Sequence, residues 1–123
     1  MKKLIYKNAI YYISDDDSEP KGKTYILKYI ASKDNMPHKH FADYIVVYGR
    51  NTCPYCIKTI DILKPHQQSL FVEIDTEPNE LFTKQNLLNT LQIDIKGHST
   101  VPIVFDKCKF IGGASDAEKH FNG

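Results

Sequence analysis

The chain has no tryptophan and a single arginine, Arg50, among its 123 residues. Without an indole, any motif built on a Trp-Cys pair is excluded, and lysine carries the positive charge at every other basic position. Basic and acidic side chains nearly cancel, 16 against 15, for a net charge of +1. That balance gives no basic field of the kind that gathers nucleic acid or an anionic membrane surface, so neither partner is expected. No apolar stretch is long enough to span a bilayer, and Met1-Lys2-Lys3-Leu4-Ile5-Tyr6 lacks the apolar core of a secretory signal. Cysteine is scarce: there are 3, an odd number that suits a reducing compartment better than a disulfide scaffold. The expectation is a cytoplasmic protein whose length fits one domain with a real hydrophobic core.

What the chain does have is Cys53-Pro54-Tyr55-Cys56, set between an apolar run (Tyr44 to Tyr48) and an amphipathic one (Ile57 to Leu63). The pattern predicts a strand over 44–48, a short loop, and a helix over 54–66. At a helix start the first N–H groups lack partners, and the helix dipole adds partial positive charge. A thiol there ionises more readily, and the thiolate is the nucleophile of thiol–disulfide exchange. Cys53, at the mouth of the helix, is the expected nucleophile. Cys56, one turn further in and more buried, is the expected resolving thiol. Pro54 suits the first helical turn, where its missing N–H costs nothing. Arg50 puts a guanidinium near the thiolate and suits bidentate carboxylate recognition. Lys58 is either a second cation for the thiolate or an ordinary solvated charge.

A lone Cys-x-x-Cys can also be half of a zinc site, which needs a second ligand pair. The remaining candidates are Cys108, His38, His40, His66, His98 and His120, with no pair in knuckle spacing. No metal is expected.

Two further segments carry chemistry. Thr100-Val101-Pro102 leads into an apolar strand, Ile103-Val104-Phe105; a proline there belongs at the strand's first position or in a bend, and is a candidate cis peptide. The Val101 backbone is then free to pair with an extended peptide. Gly112-Gly113-Ala114-Ser115-Asp116 follows Phe110-Ile111, and Ser115 or Asp116 can cap a last helix over 116–121. Free N–H groups at that helix start can also hold a carboxylate, with Asp116 taking an ammonium.

With these three segments in this order, residues 42–123 resemble the glutaredoxin family, in its dithiol Cys-Pro-Tyr-Cys form. Thioredoxins usually carry Trp-Cys-Gly-Pro-Cys, which this chain cannot. The resemblance implies an α/β thioredoxin fold, a mixed central sheet flanked by helices, and glutathione as reductant. It implies a glutathione-dependent oxidoreductase whose Cys53 thiolate reduces disulfide-bonded or glutathionylated proteins, with Cys56 resolving. It further implies that Arg50 meets the glutathione glycine carboxylate and Tyr55 lines the groove. Val101 would pair with the cysteinyl backbone and Ser115 and Asp116 would hold the γ-glutamyl end, with Thr100, Pro102 and Gly113 also in the glutathione site. Where family members often place Gln or Arg as a second glycine-carboxylate contact, counting back from Thr100 gives Asn89. Two other readings stay open: a module in which a dimer holds a [2Fe–2S] cluster through Cys53 and glutathione, which Pro54 suits poorly, and a redox-inactive adaptor, against which the intact motif argues.

Further elements follow from pattern: a strand over 70–75, a helix from Glu77-Pro78-Asn79 through Leu91, and a hairpin of 103–105 with 109–111. The first two strands of the domain are expected to pair in parallel. Residues 1–40 lie outside the domain assigned to 41–123. Leu4 to Ile13 and Thr24 to Ala31 read as an added β-hairpin around the acidic segment 14–22. A hairpin alone is marginal, so it should cover a sheet edge or helix of its own domain, or dock a protein substrate or a second copy. Met36-Pro37-His38-Lys39-His40 reads as a connector with solvated histidines. Cys108, in the hairpin turn, is a tolerated thiol or a site of glutathionylation or of an intermolecular disulfide.

Overall fold

The computed structural model describes residues 2–6, 8–13, 24–30, 36–50, 52–63, 69–75, 83–92, 94–96 and 98–122. Its strands are β1 (Lys2–Tyr6), β2 (Ala9–Ile13), β3 (Thr24–Ile30), β4 (Ile45–Gly49), β5 (Ser69–Glu73), β6 (Ile103–Asp106) and β7 (Lys109–Gly112). Helices α1 (Pro37–His40), α2 (Pro54–Leu63), α3 (Lys84–Leu91) and α4 (Ala114–Asn122) are interleaved with them. Among the described residues the strands form one sheet in the order β1-β2-β3-β5-β4-β6-β7. Its β3-β5-β4-β6-β7 part is the mixed, helix-flanked sheet of a thioredoxin fold. β5 is parallel to both β3 and β4, whereas β6 is antiparallel to β4 and to β7.

Successive side chains of a strand point to opposite faces, so a strand covered on both sides reads as an unbroken apolar run. β4 shows the rule. Ile45 and Val47 join Phe71, Val104, Leu63, Cys56 and Ala117 on one face, under α2 and α4. Val46 and Tyr48 join Leu70, Val72, Ile103, Phe105, Leu87 and Leu91 on the other, under α1 and α3.

The N-terminal segment departs from the expected hairpin. β2 and β3 do pair antiparallel, but Leu4 to Ile13 is not one strand. The chain reverses at Asn8, whose φ of 67° is one asparagine tolerates, and β1 folds back on β2 with Tyr6 opposite Ala9. β3 lies along β5, Thr24 opposite Ser69, and so covers that strand's edge. The acidic segment 14–22 lies outside the described residues, as do the expected helix start at Glu77–Asn79 and the end of the first helix at 64–66.

The connector is also corrected. Met36 to His40 forms a helical turn, and its first histidine is not solvated: His38 is 1% exposed. Its Nδ1 lies 2.8 Å from Tyr48 Oη, and its ring stacks on Phe105 at 4.2 Å between centroids. The Tyr48 hydroxyl also accepts the His38 N–H at 3.2 Å, so one oxygen of the central strand meets both the backbone and the ring of His38. Nε2 is 3.4 Å from Asp94 Oδ2, without the alignment of a full hydrogen bond. Burial, partly opposed by Asp94, lowers the His38 pKa to about 4. His40 is half-buried and bonds Tyr11 Oη, tying β2 to the same helix.

Candidate active site

Cys53 leaves the end of β4 through a tight turn. Its N–H donates to Arg50 O at 3.3 Å, and its own carbonyl accepts the Ile57 N–H at 3.0 Å, so it stands as the cap of α2. Cys56, Thr59 and Leu63 form the buried stripe of that helix, while Tyr55 and Ile57 stay exposed at 67% and 45%. The expected amphipathic run is therefore right, but its inner face begins at Cys56 and excludes Ile57. Packing brings the backbone of β4 hard against the inner thiol: a Cβ on Gly49 would stand 2.7 Å from Cys56 Sγ.

The two thiols meet opposite environments. Burial alone would raise Cys53, yet hydrogen bonds from the Cys56 N–H, the Cys56 thiol and the Tyr55 N–H, with the nearby Arg50 charge, outweigh it and lower its pKa. Burial drives Cys56 the other way. With the neighbouring Cys53 thiolate it pushes the inner thiol up to about 12, although the Arg50 N–H works against it. The partly exposed sulfur is the acid and the buried sulfur holds its proton. All three cysteines are free thiols.

Beside the helix mouth opens a groove of about 470 Å³. Tyr55, Thr100, Val101, Pro102, Gly113, Ser115 and Asp116 all line it, together with Ala114 and Lys84. The Val101–Pro102 peptide is cis and Pro102 is buried. The last helix starts two residues earlier than expected, because Gly113 is its cap: Ala117 N–H donates to Gly113 O at 2.9 Å, and Asp116 Oδ2 accepts the Gly113 N–H at 3.1 Å. That is the reciprocal half of a capping box, which satisfies one of the helix's free donors. Gly112 allows it, at a φ of +135° where a side chain would collide with the Asp116 carboxylate. Ser115 and Asp116 thus sit inside the first turn of α4, not ahead of it. His98 braces this side, 3.3 Å from Thr100 Oγ1 and edge-on to Phe110 at 5.5 Å.

Two expected polar groups, Arg50 and Asn89, fall outside this groove. The Arg50 guanidinium is engaged by Asp75, with Nε donating to Oδ2 at 2.6 Å and a second nitrogen on the same oxygen. It does not line the groove. Asn89 lines a separate hollow with Gln92, Ile95, His98 and Ser99. The groove's cation is Lys84, in the first turn of α3, whose own N–H donates to Asp75 Oδ1 at 2.8 Å. Sequence reasoning missed both Lys84 and Asp75. Lys84 follows Thr83, which accepts the Asn86 N–H at 3.3 Å, and a capping threonine before a lysine was the signal available. Lys58 pairs with Glu118 at 3.0 Å on the surface, an ordinary exposed ion pair. Cys108 is exposed in the two-residue turn between β6 and β7, where positive φ at both Lys107 and Cys108 fits a type I′ turn. Because Asp106 lies opposite Ile45 and Ile103 opposite Tyr48, that turn is at the end of β4 away from Cys53. Among the described residues no group of three or more His, Cys, Asp or Glu is placed to hold a metal ion, and no helix is long and apolar enough to cross a membrane.

The glutaredoxin family model matches residues 45–111, from the start of β4 to β7. Mouse glutaredoxin-1 is 41% identical over 75 residues, covering 58% of this chain and 66% of the mouse protein. The rabbit protein is 40% identical over the same length. A hybrid peroxiredoxin of Haemophilus influenzae is 29% identical over 111 residues, 90% of this chain and 38% of that one. The chain thus spans about two thirds of the curated glutaredoxins it matches. In structure it is similar to the holo form of glutaredoxin C1 from Populus tremula x tremuloides, with a TM-score of 0.54, 29% identity, and 70% and 84% of the two chains covered. Oxidized glutaredoxin 2 from Chlamydomonas reinhardtii gives a TM-score of 0.51 at 28% identity, with 69% and 78% covered. By family match, fold and the arrangement of its two thiols, the chain belongs to the glutaredoxin family of thiol–disulfide oxidoreductases.

Proposed function

We propose that residues 41–123 form a glutathione-dependent oxidoreductase that reduces glutathione mixed disulfides and protein disulfides, and that residues 1–40 are its extension. The observation that carries this is the split between two thiols one helical turn apart: Cys53 partly exposed and acidified, Cys56 buried and raised to about 12. Cys53 thiolate attacks the glutathione sulfur of a glutathionylated protein. The Cys53–glutathione S–S bond forms, the protein–glutathione S–S bond breaks, and the protein thiolate leaves and takes a proton. A second glutathione thiolate then attacks the glutathione sulfur, giving oxidised glutathione and regenerating Cys53 thiolate. With a protein disulfide, Cys56 attacks the Cys53 sulfur instead, after losing its proton to the departing thiolate, and the chain is left as an intramolecular disulfide that two glutathiones reduce.

The groove is suited to the tripeptide. Val101 lines the groove just before the cis proline and is the candidate to pair with the cysteinyl backbone, and the first turn of α4 offers amide donors with Asp116 for the γ-glutamyl end. The test is glutathione-dependent reduction of a small mixed disulfide, coupled to glutathione reductase. Turnover that Cys53→Ser removes and Cys56→Ser spares supports the reading. Absence of turnover in the wild type sinks it. Alkylation of Cys53 should rise with pH through a midpoint below the ordinary thiol value of about 8.5, since only the thiolate reacts.

A further inference from the structure

Among the described residues, the large apolar side chains left exposed are Tyr55, Ile57, Ile5 and Ile10, the last two at 66% and 40%. Tyr55 belongs to the groove, and the three isoleucines have no part in the proposed chemistry. The topology brings them to one side of the molecule. Tyr11 is buried in the cluster under α1 and α3, so Ile10, one residue before it, points to the opposite face, the one that α2 and α4 cover. Ile5 lies directly across from Ile10 and shares that face, as does the exposed Lys3, two residues away. Along the strands, Tyr11 stands opposite Ile30 at the end of β3, and β3 runs parallel to β5 and, through it, to β4. The isoleucine pair therefore sits at the end of the sheet where Gly49 leads to Cys53. β2 and β1 are the third and fourth strands from β4, about 14 and 19 Å away at roughly 4.8 Å per strand. Ile57 looks toward this pair. A helix turns about 100° per residue, so Tyr55 and Ile57 fall on opposite flanks of the buried Cys56. Tyr55 meets the first turn of α4 in the groove, and Lys58 reaches Glu118 of α4 on that same flank. Since α4 packs over β6 and β7, the flank of Ile57 looks across β5 and β3 to the added strands.

We infer that Ile57, Ile10 and Ile5 form a contact face for the protein half of a disulfide substrate, on the flank of α2 opposite the groove, and that it takes an extended segment that is both apolar and acidic. This face extends the proposed function, on which it rests, to the part of the substrate that the groove does not hold. Its occupant follows from continuity and charge. Ile57 stands one turn from Cys53, whose carbonyl accepts its N–H, so a protein joined by a disulfide to the ligand at Cys53 brings its neighbouring residues to this rim. Exposed apolar side chains gathered beside a reactive centre are a partner's contact surface. β1 and β2 hold lysine and no aspartate or glutamate, which suits an acidic segment. A second copy of the chain is the poorer occupant, because a two-fold contact between these faces sets Lys3 of one copy against the same cationic surface of the other.

The probes are synthetic peptides glutathionylated at one cysteine and carrying a tail of about eight residues, long enough at roughly 3.3–3.6 Å each to reach β1. One tail alternates leucine and glutamate, the other serine and glycine, and each is tried on either side of the cysteine. The wild type should favour the leucine–glutamate tail about tenfold in kcat/KM, through KM, the scale of one apolar side chain withdrawn from water. Ile5→Thr with Ile10→Thr keeps β-branched strand formers and should bring the ratio near one, while serine-tailed turnover, Cys53 alkylation and melting temperature stay as in the wild type. Ile57→Gln, outside the added strands, should lower the ratio as well, and Lys3→Glu should lower it about twofold. A wild type without preference, a preference that survives the paired threonine change, or an equal fall for both tails overturns the inference. So does a wild-type dimer that the paired change dissolves, since a second copy would then occupy the face. A wild type that turns over neither peptide would instead overturn the function on which it rests.

Discussion

On one face of the sheet, α2 and α4 cover a small apolar cluster that includes Cys56 and meets solvent at Cys53. On the other, α1 and α3 cover a larger cluster into which the Tyr48 hydroxyl and the His38 ring are built. The first face keeps its reactive group at the rim, where a ligand can reach it. The second buries a polar pair that has no place in the proposed chemistry, and uses it to fasten the segment after β3 to the central strand. Reactivity and docking are thus separated by one layer of backbone, and each side can be perturbed alone.

The largest effect should come from the rim. Cys53→Ser should lower kcat/KM by at least about a thousandfold with no change in melting temperature, because it removes the nucleophile and touches little of the core. The reverse pattern is expected from the other face. His38→Ala should cost about 2–4 kcal/mol in denaturant unfolding, by removing the ring stacked on Phe105 and hydrogen-bonded to Tyr48, while Cys53 alkylation stays unchanged.

The same histidine gives a pH signature. Its folded pKa of about 4 lies below the ordinary 6.5, so between these values the unfolded chain binds the extra proton. Stability from this group is whole above about pH 6.5 and falls as pH drops toward 4, by on the order of 3 kcal/mol. Urea titrations of wild type and His38→Gln across that window should diverge; parallel curves would remove His38 from the account.

Gly49→Ala sharpens the boundary between the faces. Its added carbon meets the Cys56 sulfur and Phe71, so about 1–3 kcal/mol of stability should be lost and the dithiol route should slow more than the monothiol one, seen by comparing protein-disulfide and mixed-disulfide substrates. The smallest effect belongs to Lys58→Ala, which breaks an exposed pair with Glu118 and should change stability by less than about 1 kcal/mol, measured by chemical denaturation.

The rim was legible in the sequence because its determinants are local. The Cys53 to Cys56 spacing, the proline at 102 and the paired glycines 112 and 113 each dictate backbone within a few residues, and Tyr55, Pro102 and Gly113 from these three segments line one groove. The parallel pairing of β4 with β5 and the hairpin of β6 with β7 were readable for the same reason, through unbroken apolar runs and a tight turn. What escaped depends on partners distant in the chain. Arg50 looked like a free guanidinium until Asp75 stood beside it. His38 looked solvated between Pro37 and Lys39, although Met36 and Phe41, both buried, bracket a turn that faces the core. The position of Asn89 was inferred by counting, and counting cannot say which side of α3 borders the groove.

The placement of β5 has a consequence for how the chain is made. β5 lies between β3 and β4 in space but follows both in sequence. During synthesis, β3 and β4 therefore emerge without the strand that will join them, and the Thr24 to Ser69 pairing closes only after the active-site helix has left the ribosome. Until then the edge of β3 that will face β5 has no partner strand. β3, made before the thiols, is completed into the sheet by a segment made after them, and pulse-labelled hydrogen exchange should find the β3 amides that face β5 protected no earlier than β5 itself.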